Sequence, residues 1–220
     1  MNRTILLLLV LLPACGSAQP AQTGAPSSKL ERTVSGQTLR SHRNPAVSLT
    51  FDQYFKYLGG ERFVLYNVAD AEIHLFVDAD EHRNIVRMFW VQFEGYLPNI
   101  PHIYNYRTKE TARFGPVDFM VDVRPFGTPD NPDSDSGHVQ RLLEAHGLKW
   151  PASAVRARFI HLPNLDRRSE LMIIYVEDAK YAQVPAEDLA NWETTQRWPE
   201  ISRQMVVHAQ KLMRVDAGQR

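Results

Sequence analysis

One strand-like run is apolar on both of its faces, and it constrains the fold more than any other feature of the chain. Residues 85–93 read IVRMFWVQF, with Ile85, Phe89, Val91 and Phe93 on one face and Val86, Met88 and Trp90 on the other. Such a strand is typical of the centre of a sheet whose two faces are both covered. The polar stretch 78–84 separates it from the alternating run 72–77, and this pattern predicts a hairpin.

Alternation with a period of two recurs along the chain and predicts further strands. The runs are Val47–Phe51, Arg62–Val68, His102–Arg107, Val117–Arg124, Ala154–Leu162 and Leu171–Val176. Consecutive strands joined by short polar connections favour antiparallel pairing. Helical spacing of apolar residues predicts a short internal helix over 138–146 and a long C-terminal helix that starts at Pro199.

These patterns predict the α+β class, with one globular domain over 46–216 and a tail over 217–220. The domain should contain a mainly antiparallel sheet with the short internal helix and the long C-terminal helix packed on it. A closed barrel with a terminal helix is the alternative architecture.

The first residues have the pattern of an export signal. Arg3 precedes the apolar run 5–12, which is far shorter than the roughly 20 residues that a membrane-spanning helix needs. Leu12-Pro13-Ala14-Cys15 resembles the lipobox of bacterial secreted lipoproteins, and Cys15 is the only cysteine of the chain. The resemblance implies a signal peptide over 1–14 and a lipid anchor on Cys15 that attaches the protein to a membrane.

The same resemblance implies a location in the bacterial envelope. Gly16 follows the cysteine where an aspartate would signal retention at the inner membrane, so we expect an outer-membrane anchor with the domain facing the periplasm. Cleavage after Ala18 is the alternative, and it would give a soluble periplasmic or secreted protein. Residues 15–45 are rich in small and polar residues, and this composition predicts a lipidated cysteine followed by a flexible linker.

Charge and motifs exclude several classes of function. The chain has 25 basic and 25 acidic residues, and this balance argues against nucleic-acid binding, which needs a concentrated basic surface. The sequence contains no nucleophile elbow, P-loop, zinc-protease motif or C-x-x-C pair, and no glycine fingerprint follows a strand. We therefore predict neither a cofactor nor a metal site.

Polar faces of three predicted strands carry the candidate binding residues. They are Asp118, Asp122 and Arg124 on one strand, Arg156 and Arg158 on another, and His102, Tyr104 and Tyr106 on a third. If these faces converge, guanidinium groups would orient an anionic or zwitterionic ligand, and Trp90 with the tyrosines would supply apolar area. The other interpretation is that Asp and Arg form cross-strand pairs on a solvated sheet face.

Two functions remain open from the sequence. The first is a non-enzymatic binding or accessory domain for a small molecule, a lipid or a protein partner. Its candidate ligand-binding residues are Trp90, Tyr104, Tyr106, Arg124, Arg156 and Arg158. The alternative is an envelope hydrolase in which His102 or His161 is the general base and Asp118 or Asp122 orients it.

Overall fold

The computed structural model describes residues 29–218, which form eleven strands and three helices. In chain order these are β1 (Thr33–Ser35), β2 (Thr38–His42), β3 (Ala46–Phe51), β4 (Lys56–Leu65), β5 (Ala69–Ala79), β6 (Ile85–Tyr96), β7 (Glu110–Phe114), β8 (Val117–Phe126), α1 (Asp135–Ala145), β9 (Ala154–His161), β10 (Ser169–Asp178), α2 (Ala186–Ala190), α3 (Trp198–Leu212) and β11 (Met213–Ala217). The predicted signal peptide and Cys15 lie outside the described residues. The antiparallel pairing of these strands, together with the helices, confirms the α+β class.

The strands form two sheets, whereas the sequence predicts one. The large sheet has seven strands in the order β4-β5-β6-β10-β9-β8-β7, and the small sheet has four in the order β1-β2-β3-β11. β11, near the end of the chain, pairs with β3, near its beginning. Local alternation does not specify which distant strand becomes a neighbour, and for this reason the second sheet was not predicted.

β6 is the third strand of the large sheet, and both of its faces are buried. Phe89 and Phe93 pack in an inner core between the two sheets and α3. Met88 and Trp90 pack in an outer core between the large sheet and α1. The prediction that 85–93 is a central strand covered on both faces is confirmed, and so is the hairpin at 78–84.

The helices differ from their predicted positions. α1 begins at Asp135, three residues before the predicted start, because the side chain of Ser134 caps it by accepting the backbone N–H of Gly137 at 3.1 Å. α3 has 15 residues and is followed directly by β11, so it is not the C-terminal element. Within residues 29–218, no helix combines the length and the apolar run that crossing a bilayer requires.

The folded region begins earlier than the predicted boundary at residue 46. β1 and β2 lie inside the stretch 15–45 that composition predicts as linker. Leu39 is fully buried in the inner core and stands among polar residues of β2. A single apolar residue does not change the composition of a window, so this short strand was missed.

Residues 97–109, which we call the strap, contain neither a helix nor a strand, and the strand predicted over 102–107 is wrong. Pro98 and Pro101 lack the amide hydrogen that a strand would donate. The strap instead attaches to the large sheet through the hydroxyls of Tyr104 and Tyr106.

Gly115, in the turn between β7 and β8, brings the two sheets together. Its φ is +53°, and a Cβ at this position would overlap the carbonyl oxygen of Val215 in β11. Gly115→Ala should therefore lower the free energy of unfolding by about 1–3 kcal/mol, as measured by denaturant unfolding. Gly127→Ala is the matched control, because a Cβ there meets no atom within 4 Å. Equal losses in the two variants would contradict this role for Gly115.

Candidate functional site

A stripe of polar side chains crosses the outer face of the large sheet beside the outer core. This polar stripe consists of Gln92 and Glu94 on β6, Glu170 on β10, Arg156 and Arg158 on β9, and Asp122 and Arg124 on β8. The residues share a face because alternate side chains of a strand point to the same side. The register then places Glu94 opposite Glu170, Asp122 opposite Arg158, and Arg124 opposite Arg156.

Two carboxylates face each other in the stripe and are bound by the strap. Cβ atoms of directly opposite residues such as Glu94 and Glu170 lie about 4.5–5.5 Å apart. The Tyr104 hydroxyl donates to Glu94 Oε1 at 2.7 Å, and the Tyr106 hydroxyl donates to Glu170 Oε2. Gln92 Nε2 donates to the other oxygen of Glu94 at 2.6 Å. The strap is thus held to the sheet by one tyrosine on each carboxylate.

The environment of this pair raises the pKa values of its members. Burial, and then the charge of Glu94, raise the pKa of Glu170 to about 8, although the hydrogen bond from Tyr106 acts in the opposite direction. Burial also raises the pKa of Glu94. Burial and the neighbouring carboxylates raise the pKa values of Tyr104 and Tyr106, so both hydroxyls remain protonated donors. Near neutral pH the two carboxyl groups therefore retain a proton.

The other half of the stripe is a guanidinium–carboxylate cluster. Arg158 donates to Asp122 Oδ2 through Nε at 2.9 Å and through Nη2, and its guanidinium lies 5.5 Å from the centre of the Tyr106 ring. Arg124 Nε lies 3.8 Å from Asp122 Oδ1. Among the described residues, Asp122 Oδ1 and Arg156 Nε are buried without a hydrogen-bond partner. Since buried polar atoms are nearly always paired, a buried water molecule there would complete their hydrogen bonding.

A groove of about 490 Å³ opens along this cluster. Its walls are the end of the strap, β8, and the region around α3. The lining residues are Tyr106, Arg107, Thr108, Lys109, Glu110, Val121, Asp122, Val123, Arg124, Arg158, Trp192, Trp198 and Ser202. Trp198 Nε1 donates to the carbonyl of Val123 at 3.2 Å, and the Trp192 and Trp198 rings lie 5.8 Å apart. The Arg124 guanidinium lies 5.5 Å from the centre of the Trp192 ring.

The structure brings most of the predicted ligand-binding residues together. Tyr104 and Tyr106 meet the polar stripe, which contains Arg124, Arg156 and Arg158. Trp90 lies on the same face, but it is buried, and its Nε1 donates to Gln92 Oε1 at 3.1 Å.

The residues predicted for the hydrolase are not paired in the predicted way. His102 is exposed, and its ring lies 5.9 Å from the Tyr96 ring. His161 Nδ1 is hydrogen-bonded at 3.1 Å to the backbone carbonyl of Asp118, not to its carboxylate. The Asp118 carboxylate is exposed and lies 3.7 Å from Arg113, and Asp122 is bound by Arg158.

Sequence reasoning missed the carboxylate pair. Glu94 and Glu170 each stand at the end of an apolar run, where they read as ordinary boundary residues. The available signal was that each shares its strand face with buried residues: Glu94 with Trp90, and Glu170 with Met172.

A second polar cluster is buried on the inner face of the large sheet. Tyr57 Oη and His74 Nδ1 are hydrogen-bonded at 3.1 Å, and His74 Nε2 and Glu72 Oε1 at 2.8 Å. Glu72 also accepts the backbone N–H groups of Glu31 at 2.8 Å and Arg32 at 3.0 Å. His74 is fully buried, so we interpret this cluster as the attachment of the first described residues to the sheet.

Another histidine–carboxylate pair lies near the surface. His208 Nδ1 is hydrogen-bonded at 3.0 Å to Glu177 Oε2, which also accepts the Tyr175 hydroxyl at 2.7 Å. Glu177 is buried, whereas His208 lines a surface depression beside α3. The pair docks α3 against the end of β10. In the part of the chain that the structure describes, no three His, Cys, Asp or Glu residues are grouped so as to hold a metal ion.

Comparison with known proteins gives no further guide to the site. No protein-family model matches the chain, and no curated protein or solved structure matches it.

Proposed function

We propose that the domain is a binding protein for a small organic anion with an apolar or aromatic part, and that the ligand lies in the groove beside the polar stripe. The observation that carries the proposal is the placement of Arg124 between Asp122 and the Trp192 ring on the wall of this groove. Arg124 thus presents its guanidinium to the groove next to the apolar surface of the Trp192 ring.

Charge supports an anionic ligand. Four cationic side chains line the groove, namely Arg107, Lys109, Arg124 and Arg158, against the two acidic residues Glu110 and Asp122. Arg158 is already bound by Asp122, but Arg124 makes no hydrogen bond to that carboxylate at 3.8 Å. Guanidinium groups form strong, directional hydrogen bonds with carboxylates and phosphates.

The aromatic wall supports an apolar part of the ligand. Trp198 is buried and fixed by its hydrogen bond to Val123, and Trp192 packs beside it. Rigid aromatic rings provide contact area with little loss of side-chain entropy. A purely inorganic anion would leave this area unused.

We also propose that the chain is a lipoprotein of the bacterial envelope, attached through Cys15 and facing the periplasm. This proposal comes from the lipobox-like residues 12–15, which lie outside the described region. The hydrolase alternative has less support, because neither His102 nor His161 has a carboxylate partner among the contacts of the described residues.

Calorimetric titration with 1-naphthoate and its neutral amide tests the binding proposal. The two probes have the same ring, so we expect the anion to bind at least about tenfold more tightly through its charge-assisted hydrogen bonds. Arg124→Gln should remove most of this difference, and Trp192→Ala should weaken both probes.

Arg203→Gln is the matched control, because Arg203 is an exposed arginine of α3 that does not line this groove. The proposal fails if neither probe binds, or if the Arg124 and Arg203 variants have the same affinities for both probes.

A further inference from the structure

One end of the large sheet gathers several loops into a continuous surface, which we call the proximal end because the described chain begins there. It comprises the turns at 43–45 and 66–68, the first part of the strap (97–103) and the hairpin loop 162–168. The Arg168 guanidinium donates to the carbonyls of Leu97, Ile100 and His102, and thereby ties the strap to the hairpin loop. Asn164 Nδ2 donates to Asn44 Oδ1 at 3.5 Å, which joins the hairpin loop to the turn at 43–45.

The N-terminal segment reaches the domain at this end. The backbone N–H groups of Glu31 and Arg32 are bound by Glu72, near the start of β5. The Glu31 carboxylate lies 2.6 Å from the guanidinium of Arg43, in the turn at 43–45. Any attachment upstream of Lys29 therefore pulls on the proximal end and not on the opposite one.

Two large aliphatic side chains project from the loops of the proximal end. Leu165, at the tip of the hairpin loop, is fully exposed, and Ile103 on the strap is 54% exposed. Their loops touch, because the backbone N–H of Tyr104 donates to the carbonyl of Arg167 at 2.9 Å. A single exposed apolar residue is ordinary, but two such residues on loops that touch each other are typical of an interaction surface.

At the opposite end of the sheet, the exposed aromatic residues already contact another side chain of the protein. These residues, Tyr54 and Tyr181, have their rings 5.6 and 5.1 Å from the guanidinium of Arg87. These rings have a protein partner already, and they provide a control surface of similar exposure.

We propose that the proximal end rests on a lipid surface, with Leu165 and Ile103 inserted at the level of the headgroups. This inference rests on the proposed anchor at Cys15. From Cys15 to Lys29 there are 14 residue steps (29 minus 15), which span at most about 50 Å. Such an anchor confines the proximal end to within about 50 Å of the bilayer, where exposed apolar loop tips insert favourably.

The test places an environment-sensitive fluorophore on single cysteines in the full chain. The variants are Leu165→Cys, Ile103→Cys and the control Tyr181→Cys, each labelled and reconstituted in vesicles of phosphatidylethanolamine and phosphatidylglycerol. Cys15 is the only native cysteine. If it carries no lipid, its thiol would be labelled too, and a second set of variants that also contains Cys15→Ser then has a single labelled position. Nitroxide-bearing lipids report which labels touch the bilayer.

We expect blue-shifted emission and at least about threefold stronger nitroxide quenching at 165 and 103 than at 181. Equal quenching at the three positions would overturn the proposal. A label at 165 that is shielded before lipid is added would also overturn it, in favour of a protein contact. The intact mass of the chain tests the anchor independently of docking. An unacylated Cys15 refutes the anchor, and the labels still report whether the proximal end docks on lipid.

Discussion

Replacing Glu72 with alanine should lower the free energy of unfolding by about 3–5 kcal/mol, which is the usual loss when one member of a buried charged pair is removed. Glu72 is 1% exposed, and its carboxylate is the common acceptor for His74 and for the backbone N–H groups of Glu31 and Arg32. Alanine would leave the buried His74 Nε2 without its hydrogen-bond partner, and the part-buried backbone N–H groups of Glu31 and Arg32 without their acceptor. It would also release the first described residues from the sheet.

Because the pKa of this carboxylate is lowered, we expect the protein to lose stability in acid. Burial by itself would raise the pKa of Glu72, but the hydrogen bonds from His74, Glu31 and Arg32 and the charge of Arg32 outweigh it and lower this pKa from 4.5 to about 2. A lowered pKa stabilises the folded state above the unfolded value, and this stabilisation disappears as the pH falls from about 4.5 to about 2. The difference corresponds to about 3 kcal/mol.

Denaturant unfolding at pH 7 and at pH 3 measures both effects. Wild-type stability should fall between these two pH values by more than that of Glu72→Ala. Glu72→Gln is the matched control, because it keeps one acceptor oxygen and should lose less stability at pH 7 than the alanine variant. If Glu72→Ala unfolds with the wild-type free energy at pH 7, the attachment of the N-terminal segment does not depend on this carboxylate.

Glu170→Gln should have the opposite effect and stabilise the protein at pH 8. The carboxyl of Glu170 is 2% exposed, and burial together with the charge of Glu94 raises its pKa to about 8. A raised pKa means that folding retains a proton that the unfolded chain releases above pH 4.5, so wild-type stability falls as the pH rises from about 4.5 to 8. The full loss corresponds to about 5 kcal/mol. Glutamine has the same shape without the charge, and its oxygen still accepts the Tyr106 hydroxyl.

The comparison is made by denaturant unfolding of both proteins at pH 5 and at pH 8. We expect similar stabilities at pH 5 and an advantage of about 2–4 kcal/mol for Glu170→Gln at pH 8, since the amide recovers most of the loss. Glu110→Gln, an exposed position in β7, should show no such dependence. A variant that is less stable than wild type at both pH values would show that the Glu170 carboxylate stabilises the fold.

The candidate site was only partly predictable from the sequence. Alternation placed Asp122 and Arg124 on one strand face and Arg156 and Arg158 on another, and the register makes these faces one surface. The Glu94–Glu170 pair was not predictable in this way. Its members are separated by 76 positions (170 minus 94), and no local pattern shows that β6 and β10 are neighbours.

The sequence by itself determined that segments with clear alternation, such as 117–124 and 171–176, become strands, and it determined that β6 is central, because side-chain alternation is a property of consecutive residues. Tertiary structure alone decided that there are two sheets, that the strap lies over the polar stripe, and that Trp192 joins the wall beside Arg124. The raised pKa of Glu170 likewise depends on the tertiary structure. The physical reason is that burial and through-space charge depend on distant segments meeting, whereas periodicity depends only on neighbours along the chain.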